Sequence, residues 1–449
     1  MPNPDNSTPP IPSSVLILGS GVFGLSTALS LSTHPSFTHS TITLVDRSAF
    51  PAPDSASIDT SRIIRADYAD PAYSALAAKA SKHWRGEWGA DGSYDEVGLC
   101  LVADSGKAEY VKKSLQNVQG LVKSGARQAG QGRAGKDRVQ VLDTREEIER
   151  VMNTGGGSGE SGYVNWASGW ADAEAAMRYC RRKVEELGRV SFRKAEAKSL
   201  LYSGNKVIGV ELVDGGRILA DLTVVATGAW SGKLVDLRGI ASATGQVLAY
   251  LDITQEEQDR LGKIPVLLNM STGMFVIPPR DRVLKVARHA YGYSNPTRVP
   301  HPEKHGESMV VSLPRTKVDE PDQWIPKEGE LACRKALREM IPSLGDRPFS
   351  YTRICWYMDT PTGDWLITHH PCYEGLFLAT GGSGHGFKFL PVIGDKIVDC
   401  ILGKTPEEFR DKWSWPEKGK EDGVWTDDGS RGGKKGSVLD EEMRKGSRL

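Results

Sequence analysis

The sequence predicts an α/β protein of two domains, the first of which begins with a parallel β-sheet. Three observations support this prediction. The 449 residues suffice for two or three domains of about 150 residues each. An apolar run at Val15–Leu18 ends in glycines and is followed by helical and strand-like stretches. Three more strand-like stretches between residues 190 and 227 are separated by turns rich in Gly, Asn and Asp.

The N-terminal elements are predicted to form one βαβ unit. Val15–Leu18 is apolar throughout, which is typical of a buried strand in a parallel sheet. Ala28, Leu29 and Leu31 continue a helical stretch, and Thr41–Val45 is a second buried strand. Such a unit places the glycine turn at the N-terminus of its helix.

A capped helix and a β-meander extend this domain. Asp172 is the expected N-cap of a helix over residues 173–187, which has apolar residues on one face. The stretches 190–200, 206–213 and 217–227 are then predicted as strands. A meander that returns to the main sheet is a common end to a dinucleotide-binding domain.

The glycine turn indicates a dinucleotide site. Gly19, Gly21 and Gly24 form a G-x-G-x-x-G pattern between strand and helix, and Asp46 ends the second strand. The first glycine permits the tight turn, the second lets the backbone approach a pyrophosphate, and the third lets the helix pack on the strand. Asp46 is expected to accept hydrogen bonds from ribose hydroxyls. An ordinary glycine turn is the alternative, and the pattern alone does not distinguish NAD from FAD.

Two further segments favour a ligand. Residues 380–388 contain four glycines near a helix start, so their backbone N–H groups can face an anionic or electron-rich group; a structural loop is the alternative. Arg62 and Arg65 lie among apolar residues, which suits recognition of a carboxylate; two surface arginines in ion pairs are the alternative.

Composition argues against several other classes of protein. Lys plus Arg equals Asp plus Glu at 57 each, so neither nucleic acid nor an anionic membrane surface is an expected partner. No apolar run approaches the roughly 20 residues that span a bilayer. The six cysteines have no metal-ligand spacing, and prolines beside His301 and His305 argue against the helix that a zinc site would need. We expect no metal site.

Five segments occur in an order that resembles one family of flavoproteins. They are the glycine motif at 19–24, DTSRIIRADY at 59–68, ATGAW at 226–230, RICWYMDTPTGDWLI at 353–367 and GGSGHGFKF at 381–389. Over residues 13–405 the chain resembles the monomeric sarcosine oxidases, with their fungal branches of pipecolate and saccharopine oxidases and of fructosyl amino acid oxidases (amadoriases). The combination of the cysteine segment with SGHGFK is specific to this family among flavoproteins.

The resemblance implies a two-domain α/β fold: an FAD-binding domain of the glutathione-reductase-like Rossmann type and an α+β substrate domain, as in the D-amino-acid and sarcosine oxidases. The implied FAD domain is discontinuous and comprises residues 14–97, 162–244 and 356–405. The implied substrate domain comprises residues 98–161 and 245–355.

The resemblance also implies how FAD is held. Cys355 falls where the family carries FAD as an 8α-S-cysteinyl adduct, and a buried structural cysteine is the alternative. The other implied cofactor-binding residues are Gly19, Gly21, Val22, Phe23, Gly24, Asp46, Arg47, Ser61, Arg62, Val190, Gly228, Trp230, Gly382, Gly384, His385, Gly386, Phe387 and Lys388. Asp46 replaces the Glu of many relatives, a change that should be tolerated.

Five residues match catalytic positions of the family. Lys285 matches the lysine that activates O2 over the flavin, with a solvated lysine as the alternative. Arg65 and Lys388 match the pair that holds the substrate carboxylate. His289 and Tyr357 match polar residues of the substrate pocket, with a structural histidine as the alternative for His289.

The implied reaction is oxidation of the C–N bond of an N-methyl, cyclic or N-alkyl amino acid, such as sarcosine, pipecolate or saccharopine. Hydride passes to FAD, and O2 is reduced to H2O2. A fructosyl amino acid oxidase, which releases glucosone and an amino acid, is the alternative. Gly386 in GHGFK favours the oxidase of N-methyl, cyclic or N-alkyl amino acids, because the fructosyl enzymes usually have GHSFK. An NAD(P)H-dependent flavin hydroxylase would need a second nucleotide motif, and a flavin-bearing sensor protein would need a closed site.

Both ends of the chain are expected to lie outside the domains. Residues 1–13 are predicted to be disordered and residues 415–449 to form a flexible tail. Ser447, Arg448 and Leu449 form a variant of the S-K-L peroxisomal address, with a simple polar ending as the alternative. We therefore expect a peroxisomal, otherwise cytoplasmic, monomer. Its partners would be a small amino acid, O2 and the peroxisomal import receptor, without nucleic acid or a membrane.

Overall fold

The computed structural model describes residues 9–123, 138–417, 419 and 424–446. Its strands are β1 (Ser14–Leu18), β2 (Thr41–Asp46), β3 (Arg62–Ile64), β4 (Tyr94–Asp95), β5 (Leu99–Ala103), β6 (Val139–Leu142), β7 (Ser161–Asn165), β8 (Gly169–Ala171), β9 (Val190–Lys194), β10 (Ala197–Ser203), β11 (Lys206–Leu212), β12 (Arg217–Leu219), β13 (Leu222–Val225), β14 (Ser242–Asp252), β15 (Val266–Asn269), β16 (Met274–Arg280), β17 (Val283–Arg288), β18 (Tyr293–Ser294), β19 (Pro296–Pro300), β20 (Ser308–Ser312), β21 (Tyr351–Asp359), β22 (Leu366–His369), β23 (Leu376–Thr380) and β24 (Ser437–Val438). Its α-helices are α1 (Val22–Thr33), α2 (Pro71–Trp84), α3 (Glu109–Lys123), α4 (Arg145–Met152), α5 (Ala173–Glu186), α6 (Ser231–Leu234), α7 (Gln255–Leu261), α8 (Lys327–Met340), α9 (Ile393–Ile401) and α10 (Leu439–Gly446). Within these described ranges, no helix combines the length and the apolar character that crossing a membrane requires.

A six-stranded sheet forms around the predicted N-terminal unit. Its strand order is β22-β23-β13-β1-β2-β9, and all neighbours are parallel except β22, which runs antiparallel to β23. Both strands of the predicted βαβ unit are present, with α1 between them. The predicted α/β fold class is confirmed.

Glycines fix the position of α1 against its neighbours. A Cβ on Gly24 would lie 1.9 Å from the carbonyl oxygen of Gly19, so only glycine lets the helix approach the turn this closely. On another side of α1, a Cβ on Gly394 of α9 would lie 2.0 Å from the Ser26 carbonyl oxygen. The Ser26 hydroxyl donates to the Leu390 carbonyl (2.9 Å) and accepts from the Gly394 N–H (2.8 Å). The helix therefore holds the glycine turn in place.

The predicted helix and meander are also present, with one difference. The Asp172 side chain caps α5 by accepting the Ala175 N–H at 2.9 Å. The stretch 190–200, expected to be one strand, contains two. β9 joins the six-stranded sheet, whereas β10 pairs with β11 in a separate antiparallel sheet.

A ten-stranded sheet makes up most of the remaining structure. Its order is β24-β18-β14-β17-β16-β15-β5-β7-β6, with β21 paired to β14 beside this path. Helix α8 packs against one face and buries Leu337 and Met340 there. The opposite face carries Leu248, Phe275 and Lys285, which line a cavity shared with the first sheet.

The strand pairing moves two of the expected domain boundaries. The boundary at residue 162 falls inside β7, which pairs with β5 and β6 in the ten-stranded sheet. The boundary between 355 and 356 falls inside β21, which is continuous from Tyr351 to Asp359. We propose that the two large sheets are the centres of the two domains, with β7 and β21 assigned to the second.

Both ends of the described chain make more contacts than the composition predicted. The Ser13 N–H donates to Asp221 Oδ2 (3.0 Å), and the Pro12 carbonyl accepts from the Ser40 hydroxyl (2.7 Å), so the expected disorder over 1–13 does not apply to these two residues. Within the region expected to form a flexible tail, 415–449, β24 pairs with β18 and α10 buries Leu439 beside α8. The predicted address at residues 447–449 lies outside the described residues.

Candidate active site

The predicted site residues meet in one cavity between the two large sheets. It is bounded by the glycine turn after β1 and by the segment of β21 that carries Cys355. The predicted residues that line it are Gly19, Gly21, Val22, Phe23, Asp46, Arg47, Ser61, Arg62, Arg65, Gly228, Trp230, Lys285, His289, Cys355, Tyr357, Gly382, Gly384, His385, Gly386, Phe387 and Lys388. Gly24 acts through the packing of α1. Val190 pairs with Ile42 inside the sheet instead of lining the cavity, whose wall is formed five residues later by 195–197.

The turn after β1 has the geometry of a phosphate cradle. Gly19 has a φ of +103°, and a Cβ there would lie 2.5 Å from the Ala226 carbonyl oxygen. Helix α1 begins after Gly21, its Val22 N–H donates to Ser57 Oγ (3.1 Å), and both residues line the cavity, so the first turn of the helix lies at the cavity wall. Asp46 Oδ2 accepts both the N–H and the hydroxyl of Ser20, each at 2.7 Å, and this fixes the carboxylate beside the turn.

The second glycine segment forms a wall of backbone. Gly384 has a φ of +64°, and a Cβ there would lie 2.4 Å from Cε2 of Tyr357. A Cβ on Gly386 would lie 3.2 Å from Cε1 of Phe23. Because side chains are absent at these positions, backbone groups lie directly against the cavity and leave room for a flat ligand.

Cys355 lies beside a buried cluster of charges centred on Asp59. Lys285 Nζ donates to Asp59 Oδ2 (3.0 Å) and to the Ser61 carbonyl (2.5 Å). The Arg62 guanidinium pairs with the same carboxylate and places Nη2 3.6 Å from the Cys355 Sγ. Burial lowers the pKa of Lys285 to about 8, against the opposing effect of Asp59. Asp59 has a pKa far below its ordinary value, because the surrounding cations outweigh its burial.

Arg65 and Lys388 form a second buried group, which we call the cation pair. The Arg65 guanidinium lies 4.6 Å from the centre of the Tyr68 ring, and Lys388 Nζ donates to the Tyr68 hydroxyl (2.9 Å) and to the His385 carbonyl (2.8 Å). Burial and the neighbouring Arg65 lower the pKa of Lys388 well below its ordinary value. Arg65 Nη1 is buried without a hydrogen-bond partner among the described residues. An anion that entered here would accept from this donor and favour the charged form of Lys388.

Arg431 is a site residue that the sequence reasoning missed. Its Nη2 donates to Asp359 Oδ1 (2.7 Å) and to the Ser383 carbonyl (3.0 Å), and its Nη1 lies 2.9 Å from His289 Nδ1. Since a guanidinium can only donate, His289 Nδ1 is the acceptor and the ring proton is on Nε2. Burial and Arg431 lower the pKa of His289 well below its ordinary value, so the ring is neutral. The RGGKKGS segment around Arg431 is typical of a solvated tail, and nothing in it pointed to the cavity.

The part of the cavity wall contributed by the ten-stranded sheet is largely apolar. Leu248, Leu268, Phe275 and Ile277 line it, and Ile63 of β3 also contributes. Burial raises the pKa of Tyr357 above its ordinary value, so its hydroxyl is neutral. The cavity thus combines a cation pair, two neutral polar side chains and an apolar surface.

Comparisons with known proteins agree with this arrangement. A family model described as FAD dependent oxidoreductase matches residues 14–400. The amino acid oxidase fsqB of Aspergillus fumigatus is 33% identical over 90% of this chain and 98% of its own length. L-saccharopine oxidase of Schizosaccharomyces pombe is 29% identical over 90% and 94%, and the peroxisomal sarcosine oxidase of Homo sapiens is 23% identical over 87% and 92%. Among solved structures, the fructosyl peptide oxidase from E. terrenum superposes with a TM-score of 0.82 at 26% identity, covering 96% of each chain.

The cavity fits FAD on its own geometry. The first turn of α1 lines the cavity and suits a pyrophosphate, the backbone wall at Gly384 and Gly386 suits a flat ring, and Cys355 lines the same cavity. The resemblance predicted from the five sequence segments is confirmed, as is the fold that it implied. Since the family model spans more than three quarters of its residues, the chain belongs to the FAD-dependent oxidoreductase family.

Proposed function

We propose that this enzyme oxidises the C–N bond of a secondary-amine amino acid and uses O2 as the electron acceptor, with release of H2O2. The cation pair carries this proposal. Arg65 and Lys388 are both buried, and Arg65 Nη1 has no hydrogen-bond partner among the described residues and can donate to an acceptor that enters the cavity. A substrate carboxylate supplies charge-assisted hydrogen bonds to both residues.

The same contacts direct the rest of the substrate. Lys388 is bonded to the His385 carbonyl, and the neighbouring Gly384 packs on the Tyr357 ring. The His289 ring lies 5.8 Å from that of Tyr357. A carboxylate held by the cation pair therefore leaves the amine near two neutral polar side chains, and alignment of this kind accounts for much of a rate enhancement.

FAD held in this cavity would supply the redox chemistry, as the hydride acceptor and as the electron donor to O2. Lys285 is the residue of this chain that we assign to O2. With a pKa of about 8 its ammonium is mostly charged at neutral pH, and a fixed positive charge stabilises negative charge that develops on oxygen.

We further propose that Cys355 holds FAD through a thioether. Its side chain is buried, and Arg62 Nη2 lies 3.6 Å from Sγ. Yellow colour should stay with the acid-denatured polypeptide and should be lost in the Cys355→Ala variant. Cys180→Ala, which alters a buried cysteine of α5, is the matched control and should retain the colour.

The apolar wall favours a secondary amine over a sugar adduct. Leu268, Phe275 and Ile277 can contact an alkyl or aromatic group but offer no side-chain hydrogen bonds to sugar hydroxyls. The fructosyl peptide oxidases among the structural neighbours support the alternative, a fructosyl amino acid oxidase.

A substrate panel tests the choice. Peroxide release is measured with sarcosine, pipecolate, saccharopine, N-methyl aromatic amino acids and fructosyl-glycine. We expect the highest kcat/KM with one of the secondary amines that lack a sugar. Highest activity with fructosyl-glycine would favour the alternative, and no peroxide from any compound by FAD-loaded enzyme would refute the proposed function.

We also propose that the protein acts as a monomer in the peroxisome. The residues Ser447, Arg448 and Leu449 support this location, which would suit an enzyme that produces peroxide. A fluorescent N-terminal fusion should enter peroxisomes and should lose this location when the last three residues are deleted. Light scattering should give a mass close to 48.9 kDa.

A further inference from the structure

We propose that Asp59 is a positioning residue: it keeps Lys285 charged and holds Arg62 beside Cys355, so that one buried carboxylate controls two cations of the cavity. The inference rests on the proposed function for the role of Lys285 toward O2. It adds a residue that does not itself line the cavity.

Both oxygens of Asp59 are fully engaged. Oδ2 accepts from Lys285 Nζ at 3.0 Å and from the Arg62 guanidinium. Oδ1 accepts from the Tyr250 hydroxyl and from the Thr60 N–H, each at 2.7 Å. The Asp59 side chain is 1% exposed. The carboxylate therefore cannot rotate without loss of several bonds at once, and the two cations keep a fixed position relative to each other.

Charged and titratable groups face this carboxylate from every neighbouring element. Arg62 approaches from β3, Tyr250 from β14, and Arg353 and Cys355 from β21. Without Asp59 the region would hold Lys285 and two arginines with no carboxylate between them. Asp59 is the main group that raises the pKa of Lys285, against burial and Arg62. Loss of its charge must therefore lower the pKa of Lys285 further.

The position of Asp59 requires a negative charge, because Lys285, Arg62 and Arg353 all interact with its carboxylate. A buried carboxylate carries a desolvation cost that a neutral side chain of similar shape avoids. The two cations line the cavity, whereas Asp59 lies behind them. The negative charge therefore acts on the cavity through Lys285 and Arg62, which it contacts directly.

The test uses enzyme with bound flavin that has been reduced by light without any substrate and is then mixed with O2. The rate constant for reoxidation is measured from pH 6 to pH 10. In the native enzyme it should fall as the pH rises through about 8, where Lys285 loses its proton. In Asp59→Asn the midpoint should move down by roughly one pH unit or more, with a rate at least about fivefold lower near pH 8. Tyr250→Phe, the matched control, removes a neutral donor from the same carboxylate and should move the midpoint by less than about half a unit.

A second measurement does not depend on turnover. The absorption spectrum of the bound oxidised flavin is recorded over a range of pH. The spectral change that accompanies deprotonation of Lys285 should occur at a lower pH in Asp59→Asn than in the native enzyme. If Asp59→Asn fails to retain flavin, Asp59→Glu, which restores the charge, should retain it with a native midpoint. Loss of flavin from both variants would overturn the inference, because the charge would then not be what matters.

The outcomes separate this inference from the proposed function. An unchanged reoxidation midpoint in Asp59→Asn would overturn the positioning role while leaving amine oxidation intact. A native enzyme that reacts with O2 equally fast at all pH values would instead remove the assignment of Lys285, on which the inference rests.

Discussion

Replacement of Arg431 with methionine should show whether the C-terminal segment belongs to the active site. The side chains of Arg431 and Asp359 are 1% and 2% exposed, and they form an ion pair at 2.7 Å. Without the guanidinium, Asp359 keeps its bond from the Thr244 hydroxyl (2.6 Å) but no cation in direct contact among the described residues. Removing one partner of a buried pair costs about 3–5 kcal/mol. We expect a loss of stability in that range.

The loss should depend on pH in a defined direction. Burial already raises the pKa of Asp359, and Arg431 opposes this effect. In Arg431→Met, the pKa of Asp359 in the folded state rises further above its value in the unfolded state. The protonated carboxyl then contributes stability to the folded state, and this contribution is lost as the pH increases through the folded-state pKa. Arg431→Met should therefore be closest to the native protein in mild acid and furthest from it at neutral pH and above.

Thermal unfolding of the apoprotein measures this effect, and peroxide release measures its catalytic counterpart. The double variant Asp359→Asn/Arg431→Met should recover much of the stability, because no charge is left buried alone. It should not recover kcat/KM, since His289 Nδ1 remains without its donor. Lys435→Met, which removes an exposed ion pair in the same segment, is the control and should cost no more than about 1 kcal/mol. A melting temperature of Arg431→Met equal to that of this control would refute the buried position of the segment.

Three further predictions concern the glycines and the cation pair. Gly24→Ala would place a methyl group 1.9 Å from a backbone oxygen, so the variant should not retain FAD and should lose roughly 1–3 kcal/mol of stability, measured by calorimetry. The control Gly120→Ala in α3, with open space around it, should be neutral or slightly stabilising. Gly384→Ala would push on the Tyr357 ring and should lower kcat/KM while the flavin stays bound, as measured by peroxide release and absorbance; an unchanged kcat/KM would contradict that contact. Binding of a non-reactive carboxylate should raise the lowered pKa of Lys388, so the protein should take up a proton on binding and its affinity for the carboxylate should weaken as the pH rises. Calorimetry in buffers of different ionisation enthalpy measures the proton uptake, and binding without proton exchange would contradict the prediction.

The sequence predicted those parts of the fold that depend on local patterns. An apolar run, a glycine turn and a second apolar run specify β1, α1 and β2 within about 35 residues. The N-cap of α5 could also be predicted, because the capping residue and the apolar face of the helix are close together in the sequence. A domain boundary near residue 162 was harder to predict from the sequence. The sheet to which β7 belongs is determined by its partner strands at 99–103 and 139–142, which no local pattern reveals.

The candidate site divides in the same way. Its glycines and its cations at 62, 65, 285 and 388 could be predicted by resemblance to a family. The acids that pair with cations could not, because Asp59 and Lys285 are 226 residues apart and no local pattern links them. The segment of Arg431 was misread because its glycines and lysines are also typical of solvated chain. Val190 lies in β9, and this strand ends just before residues 195–197, which line the cavity.

The order of strands in the six-stranded sheet also bears on how the protein reaches its native state. Ile17 pairs with Val224, which in turn pairs with Phe377, so adjacent strands come from the beginning, the middle and the last quarter of the chain. Contacts over such long separations carry a large loop-closure entropy and slow the search for the folded state. The sheet cannot close on a ribosome until residue 380 has emerged. The six-stranded sheet that supports the phosphate cradle is therefore completed late in synthesis. A chain interrupted before that point would expose unpaired strand edges that favour aggregation.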